Sequence, residues 1–204
     1  MQREEAVMKI RALVGRSLHE LARDEGVAIV AASGKVNKGW AGQTLELAIG
    51  LRTNSSQKPD GGDWELKVVP FKESRGTLVP KETMAITMIN AEQVASTPFE
   101  ESHLLSKLES LVIVKRLVGR SVHEWSEILD VRAIDLNGEM YEQIRLDYIE
   151  VQKCILDSSR GFQGLSGRMG VLVQPRTKGA GHGSISRAFY ARPSLVSAFF
   201  SEPS

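Results

Sequence analysis

The sequence predicts a mixed α/β fold in which one mixed β-sheet is flanked by helices. Two observations indicate this class. Apolar residues recur at helical spacing over residues 4–24 and 140–156, and short β-rich runs lie between them, as at 64–71 and 111–114. The chain has 204 residues, of which 42% are hydrophobic and 25% charged, so one ordinary hydrophobic core suffices.

The first half of the chain is predicted to hold three helices and two strands. The apolar spacing within 4–24 breaks at its middle, which indicates two short helices, and a third is predicted over 41–51. Residues 52–63 are rich in turn-forming types. Apolar and polar residues alternate over 64–71, which predicts a strand, and we expect 82–90 to be its partner strand.

The second half alternates helices and strands. A helix is predicted over 97–108, where Thr97 opens it and Glu100 completes a capping box. The continuous apolar run 111–114 is typical of a buried central strand, and 140–156 is a strong helix candidate. The remaining elements are strands at 170–174 and 185–191 and a final helix that starts at Pro193.

The composition excludes several classes of protein. The single cysteine, Cys154, excludes an internal disulfide framework and a cysteine-rich zinc module. No apolar run reaches the roughly 18 residues of a membrane span, and the N-terminus carries no apolar signal core. We therefore expect a soluble, cytoplasmic protein.

The charge is unevenly distributed, although the formal net charge is only +1. The stretch from Ser158 to Ser201 contains no acid and six basic residues. These are Arg160, Arg168, Arg176, Lys178, Arg187 and Arg192. Such asymmetry favours a polyanionic partner, while the alternative is a solvated basic face that binds nothing.

The chemically informative segment is the turn and strand that begin at Pro59 and Asp60. Alternation along the strand places Glu65 and Lys67 on one face, and Asp60 lies on the turn that leads into it. Two converging carboxylates suit Mg²⁺, and an adjacent lysine could hold a water or a phosphate oxygen. Glu46 on the preceding helix adds a third acid. The alternative is that the acids and the lysine form ordinary cross-strand ion pairs.

Five segments of the chain resemble the MutH mismatch-repair endonuclease family and its restriction-enzyme relatives. Residues 38–46 resemble its Lys-Gly-Trp-Val-Gly-x-Leu-Leu-Glu signature, and residues 65–70 its Glu-Leu-Lys-Thr-Ile-Pro segment. Residues 102–108 match its Ser-His-x-x-x-Lys-Leu helix, 143–148 are similar to its late helix, and 187–190 to its Arg-Gly-Phe-Tyr. The matches span nearly the whole chain in the same order.

The resemblance implies a restriction-endonuclease-like fold around a DNA cleft and a Mg²⁺-dependent, sequence-specific DNA endonuclease. It would nick DNA in mismatch repair, activated by a partner such as MutL, or cut both strands as a type II restriction enzyme. It implies one domain, with a metal-centre lobe at 1–110 and a DNA-recognition lobe at 111–204, and we expect a monomer. A non-catalytic, sequence-specific DNA-binding protein on the same fold is the alternative.

The resemblance also assigns residues. Asp60 and Glu65 would bind the metal, Lys67 would position the attacking water or stabilise the transition-state charge, and Glu46 would complete the acidic centre. Lys107 would contact DNA near the scissile phosphate. The residues expected to contact DNA are Lys38, Gln174, Arg176, Lys178, His182, Arg187 and Tyr190.

Two departures from the family pattern leave alternatives open. The four residues between Asp60 and Glu65 are fewer than in MutH and are similar to the spacing in the monomeric enzymes BcnI and MvaI, so Asp63 is a rival metal ligand. Gln174 stands where MutH has a base-reading arginine, and a shift of register would give that role to Arg176.

A glycine-rich loop at 179–184 completes the candidate DNA surface. It lacks the ending of a phosphate-binding P-loop, and a strand rather than a helix follows it. With Arg176, Lys178, His182 and Arg187 it would form a basic tongue that contacts phosphates and guanine edges. The alternative is a plain surface loop.

Overall fold

A computed structural model describes residues 1–51, 60–119, 125–179 and 186–201. The chain divides into two units, Met1–Glu82 with Ser110–Ile134, and Thr83–Glu109 with Asp135–Ser204. The helices are α1 (Arg3–Arg11), α2 (Leu18–Asp24), α3 (Trp40–Ala48), α4 (Ala91–Ser96), α5 (His103–Ser106), α6 (Gly138–Leu156) and α7 (Pro193–Ala198). The strands are β1 (Glu65–Ser74), β2 (Thr77–Pro80), β3 (Met84–Met88), β4 (Ser110–Val118), β5 (Ser126–Asp135), β6 (Val173–Thr177) and β7 (Arg187–Ala191).

The first unit contains a four-stranded sheet in the order β2-β1-β4-β5. Strand β1 runs parallel to β4, in a register that pairs Glu65 with Leu111 and Phe71 with Leu117. It runs antiparallel to β2, so the sheet is mixed, as predicted. The apolar run 111–114 is fully buried within β4, which confirms the predicted central strand.

The core of the first unit lies where the three N-terminal helices cover this sheet. Ile10, Leu18 and Leu45, one from each of α1, α2 and α3, are fully buried against Val112 and Ile128 of the sheet. Each such side chain contributes about 1.5–3 kcal/mol through burial. The helices are thereby anchored to β1 and β4, the strands next to the candidate acids.

The second unit contains its own sheet, which is antiparallel and ordered β3-β7-β6. Helix α6 covers it with a buried face that includes Ile144, Tyr148 and Val151. The rings of Tyr148 and Phe189 stack with their centroids 5.9 Å apart. The fold class is as predicted, but the second sheet was not.

Two predicted elements were wrong in detail. Residues 82–90 were expected to pair with β1, but β3 pairs with β7. The reason is a tight turn at Arg75 and Gly76, both with positive φ, which returns the chain to β1 at once as strand β2. The helix expected over 97–108 is instead a 3₁₀ turn at Phe99–Glu101 followed by the short helix α5.

The units do not coincide with the lobes drawn from the sequence at residue 110. Pairing of β4 with β1 places residues 110–134 in the first unit, and pairing of β3 with β7 places residues 83–109 in the second. No helix in the described ranges combines the length and apolar composition needed to cross a membrane.

Candidate active site

A tight turn leads into β1 and places Asp60. The N–H of Gly61 donates to the carbonyl of Trp64 at 2.8 Å. A Cβ on Gly61 would lie 2.0 Å from ring atoms of Trp64, and Gly62 has a φ of +96°, so glycine is required at both positions. The indole of Trp64 is buried and donates to the carbonyl of Met1 at 3.0 Å, which fixes the base of the turn.

The carboxylate of Asp60 is held at the start of β1. Its Oδ2 accepts a hydrogen bond of 3.0 Å from the backbone N–H of Leu66. Asp63, the rival ligand, is exposed to solvent. The structure therefore brings Asp60, rather than Asp63, against the strand that carries Glu65.

Glu65 and Lys67 lie on the same face of β1, as the alternation predicted. The Nζ of Lys67 forms an ion pair with Oε1 of Glu65. The Glu65 side chain is 4% exposed and that of Lys67 19% exposed. A nearly buried carboxylate is therefore compensated by a lysine that retains some access to solvent.

Glu46, on α3, joins this group electrostatically. Burial raises the pKa of Glu46 above its ordinary value, the carboxylates of Asp60 and Glu65 raise it further, and Lys67 opposes them. A Cβ on Gly42, one turn earlier, would lie 4.0 Å from Oε1 of Glu46, which is ordinary van der Waals contact. Three carboxylates and one lysine thus act on each other within the first unit.

The donor chemistry of this group fits a hard divalent cation. Its candidate ligands are all carboxylate oxygens, which Mg²⁺ prefers, and the pKa of Glu46 is raised first by burial and then by the carboxylates of Asp60 and Glu65. No three His, Cys, Asp or Glu side chains in the described part of the chain are already gathered as a metal-ligand set. A cation would have to draw the carboxylates together and compete with Lys67 for Glu65.

Two other predicted residues lie elsewhere in the described chain. Lys107 caps the C-terminus of α5 in the second unit and is 9% exposed. Lys38 is exposed in the loop before α3. The side chain of the adjacent Asn37 orders that loop, since it accepts from the N–H of Gly39 at 3.1 Å and donates to the carbonyl of Ala28 at 3.2 Å.

Gln174, Arg176 and Tyr190 come together on one face of the second sheet. Gln174 lies directly opposite Tyr190 in the β6–β7 register. The guanidinium of Arg176 lies 5.7 Å from the centre of the Tyr190 ring and donates to Oγ1 of Thr83 at 2.9 Å. Arg176 is exposed, whereas Gln174 is 6% exposed. We call these three residues the β6–β7 face.

The remaining predicted DNA contacts do not join this face. Arg187 alternates to the opposite side of β7, where its guanidinium lies 6.0 Å from the ring centre of Phe162. Lys178 follows β6, and its N–H donates to the carbonyl of Ser186 at 3.0 Å. His182 lies outside the described residues, as does most of the predicted glycine-rich tongue.

Sequence reasoning missed the role of two charged residues that hold the chain segment leading into β6. Asp147 accepts hydrogen bonds from three consecutive backbone N–H groups at 171–173, and Arg192 donates to three carbonyls of residues 167–170. The sequence carried a signal for the first. Asp147 is an acid on the apolar face of α6, beside Ile144 and Tyr148.

Comparisons with known proteins agree with these motifs. A family model described as DNA mismatch repair enzyme MutH matches residues 49–147, which include Asp60, Glu65 and Lys67. The MutH protein of Klebsiella pneumoniae is 28% identical over 196 residues, which cover 95% of this chain and 82% of that protein. The chain is therefore similar to MutH-like endonucleases over nearly its whole length. Its mixed sheet with flanking helices is accordingly of the restriction-endonuclease-like type.

The chain is also similar to a restriction enzyme and to a second MutH protein. The type II restriction enzyme Sau3AI of Staphylococcus aureus is 29% identical over 185 residues, which cover 87% of this MutH-like chain and 36% of that enzyme. The MutH protein of Haemophilus ducreyi is 26% identical over 197 residues and is covered to 80% of its length. The chain therefore spans about a third of Sau3AI and about four fifths of these MutH proteins.

Proposed function

We propose that this MutH-like chain is a Mg²⁺-dependent, sequence-specific endonuclease that hydrolyses phosphodiester bonds of double-stranded DNA. The observation that carries the proposal is the mutual influence of Glu46, Asp60, Glu65 and Lys67 within one unit. The relatives described above, a mismatch-repair protein and a restriction enzyme, support the same chemistry.

Each side chain has a role that follows from its position. Asp60 and Glu65 would hold the ion, and Glu46 would complete the centre directly or through a water. A bound divalent cation supplies a water of lowered pKa and offsets charge on the phosphoryl oxygens. The pairing of β1 with β4 fixes the direction of Glu65, and the Leu66 N–H fixes that of Asp60.

Lys67 is the group that would change partner during the reaction. In the structure its Nζ is paired with Glu65. If Glu65 held a cation, Lys67 could instead donate to the attacking water or to a phosphoryl oxygen. A preorganised donor of this kind is worth on the order of 10²–10³ in rate. The products would carry a 5′-phosphate and a 3′-hydroxyl.

DNA binding would use the basic residues of both units. Lys38 and Lys107 would contact the DNA backbone, and Gln174, Arg176 and Tyr190 would face the bases. Lys178, His182 and Arg187 would add charge around them. Because these contacts would neutralise phosphates, affinity should fall steeply as salt rises.

Two biological roles fit this chemistry. One is nicking in mismatch repair, with weak activity alone and stimulation by MutL. The other is restriction, with double-strand cleavage that needs no helper. In either role we propose a cytoplasmic protein that is monomeric in isolation.

One observation favours a second candidate, a DNA-binding protein without catalysis. The Glu65–Lys67 ion pair is itself a complete structural interaction, and no ready set of three metal ligands exists in the described ranges. This candidate predicts DNA binding that does not depend on Lys67 and no cleavage with any divalent ion.

The deciding experiment is cleavage of unmethylated supercoiled plasmid by the purified protein, with Mg²⁺ or with EDTA. Linear fragments with defined ends would support restriction. Nicked circles, or weak nicking enhanced by MutL, would support the mismatch-repair role. Absence of any Mg²⁺-dependent product, with and without MutL, while DNA is still bound would overturn the endonuclease proposal in favour of the second candidate.

A further inference from the structure

A short loop beside β6, residues 166–170, is held by one arginine. Arg192 donates from Nη2 to the carbonyls of Gly167 and Met169 at 2.9 and 3.0 Å, and from Nε to the carbonyl of Gly170 at 3.1 Å. Hydrogen bonds from a charged donor are shorter and stronger than those between neutral groups. We call residues 166–170 the clamped loop.

The chain that leaves this loop is held by a carboxylate. Asp147 is 2% exposed and accepts hydrogen bonds from the N–H groups of Val171, Leu172 and Val173 at 2.8, 2.8 and 2.7 Å. Gln143 donates a fourth bond to it at 3.0 Å. These four donors compensate the burial of the carboxylate, which otherwise would be costly. Arg192 therefore holds the clamped loop itself, and Asp147 holds the three residues that follow it.

Two glycines bring this loop close to the β6–β7 face. Gly170 has a φ of +72°, and a Cβ there would lie 1.8 Å from the carbonyl oxygen of Val173, so no other residue fits. A Cβ on Gly167 would lie 3.3 Å from Oε1 of Gln174 and 3.6 Å from Cγ of Arg176. The backbone of the clamped loop thus lies against the two side chains expected to face the bases.

Arg168 is the charged residue that this loop presents to solvent. It is exposed, and its backbone N–H donates to Oγ of Ser166 at 3.4 Å. Its guanidinium makes no hydrogen bond or ion pair with any residue in the described ranges. In contrast, Arg176 and Arg192 are engaged with Thr83 and with the loop carbonyls. The fork of an unengaged guanidinium matches a phosphate.

We propose that Arg168 contacts a backbone phosphate of bound DNA beside the β6–β7 face, and that Asp147 and Arg192 are the positioning residues that fix it there. The inference rests on the proposed function, because it takes DNA as the ligand. A loop ordered before binding loses little entropy when the contact forms, which is the advantage of clamping it.

The test is the salt dependence of DNA binding by the full chain. Binding of a random-sequence duplex is measured by fluorescence anisotropy over a series of KCl concentrations, with Ca²⁺ in place of Mg²⁺ to prevent cleavage. Loss of one phosphate contact makes the negative slope of log K against log salt less steep by about 1. We expect this change for Arg168→Ala. Arg160→Ala is the matched control, since it removes an exposed arginine of the same acid-free stretch and should leave the slope unchanged.

A double-mutant cycle tests the positioning role. Arg192→Lys keeps the charge but not the three-carbonyl geometry, and should weaken binding at low salt several-fold. If Arg192 acts through Arg168, Arg192→Lys should have little further effect in the Arg168→Ala background. A general loss of stability would weaken binding equally in both backgrounds and would overturn that role. Circular dichroism confirms that each variant is folded, and Asp147→Asn replaces Arg192→Lys if the latter does not fold.

The outcomes separate this inference from the proposed function. Binding by the wild type with an unchanged slope in Arg168→Ala would overturn the inference alone. An equal loss of slope in Arg160→Ala would do the same, because it would indicate only general electrostatic attraction. Failure of the wild type to bind duplex DNA would overturn the proposed function, and the inference with it.

Discussion

Oδ2 of Asp60 accepts a hydrogen bond of 3.0 Å from the backbone N–H of Leu66. This bond is possible because β2 pairs only with residues 71–74 of β1 and does not cover the start of that strand. The carboxylate therefore takes the place of a neighbouring strand. Because Leu66 directly follows Glu65 in the chain, this backbone hydrogen bond holds the carboxylate of Asp60 close to Glu65.

The first prediction separates the two rival acids. Asp60→Asn should reduce cleavage by on the order of 10²-fold or more, because it removes a charge that we propose binds the metal. Asp63→Asn, the matched control, should leave activity nearly unchanged, since Asp63 is exposed. The measurement is the rate of plasmid cleavage together with the rise in Tm on adding Mg²⁺, which Asp60→Asn should lose. The reverse order of the two variants would assign the metal to Asp63.

The second prediction concerns Lys67. Lys67→Ala should lower the single-turnover cleavage rate by on the order of 10²–10³-fold, while DNA affinity changes little. Lys72→Ala is a suitable control, because Lys72 lies on the same strand, carries the same charge and is exposed. Normal cleavage by Lys67→Ala would show that the assigned site is not the catalytic one.

The third prediction follows from the charge around Glu46. Its pKa is raised in the fold by burial and by Asp60 and Glu65, so the folded state holds this proton more tightly than the unfolded chain does. Stability should therefore fall as pH rises from the ordinary pKa, 4.5, through the raised one. Glu46→Gln has no charge to lose and should exceed the wild type in Tm at pH near 8.

The advantage of Glu46→Gln should disappear at pH values well below the ordinary pKa of the carboxyl, where the wild type is protonated as well. Thermal unfolding across this range is the measurement. Added Mg²⁺ should narrow the difference near neutral pH, because a cation offsets the same negative charge. A difference that is constant across the whole pH range would show that ionisation of Glu46 is not its cause.

The fourth prediction tests the turn that carries Asp60. Gly61→Ala would place a Cβ 2.0 Å from the buried ring of Trp64 and should lower the free energy of unfolding. Overpacking of this kind costs about 1–3 kcal/mol. Gly39→Ala is the control, since the nearest atom to its Cβ would lie at 3.7 Å. Chemical denaturation measures both, and equal stability of the two variants would mean that the turn relaxes around the added methyl group.

The elements that sequence predicted well were those with local signals. The buried run in β4 and the apolar face of α6 are visible within a few residues. Strand β5 was not predicted, because Asp130, Arg132 and other charged residues interrupt its apolar pattern. The second sheet also escaped prediction, since β3 and β7 are about 100 residues apart and nothing local marks their pairing.

In the candidate site, too, local sequence signals placed residues well and contacts between distant segments were missed. The spacing from Asp60 to Lys67 is short enough for sequence to place these residues together, and the structure does so. The N–H groups of residues 171–173 donate to Asp147 from a distant part of the chain, so the sequence showed the acid on α6 but not its partners. Arg187 was expected beside Arg176, but strand alternation and the β6–β7 register place them on opposite faces.

The last prediction concerns Arg176 as a base-reading residue. Its guanidinium is exposed, is steered by Thr83 and lies over the ring of Tyr190, so it is oriented before DNA binds. If it reads a guanine through two hydrogen bonds, Arg176→Ala should weaken binding to the cognate site by about 1–3 kcal/mol. Binding to random DNA should weaken far less. The site is obtained from the ends of cleavage products, and both affinities are measured at one salt concentration.

A lysine variant of Arg176 separates the recognition of a base from the effect of positive charge alone. Arg176→Lys keeps the charge but cannot make the two parallel bonds, so it should lose most of the specificity and little of the affinity for random DNA. Arg168→Ala should show the opposite behaviour, an equal loss on both DNAs. If Arg176→Ala weakens cognate and random DNA equally, Arg176 contacts phosphate. Base reading would then fall to Gln174, which lies opposite Tyr190 on the same face.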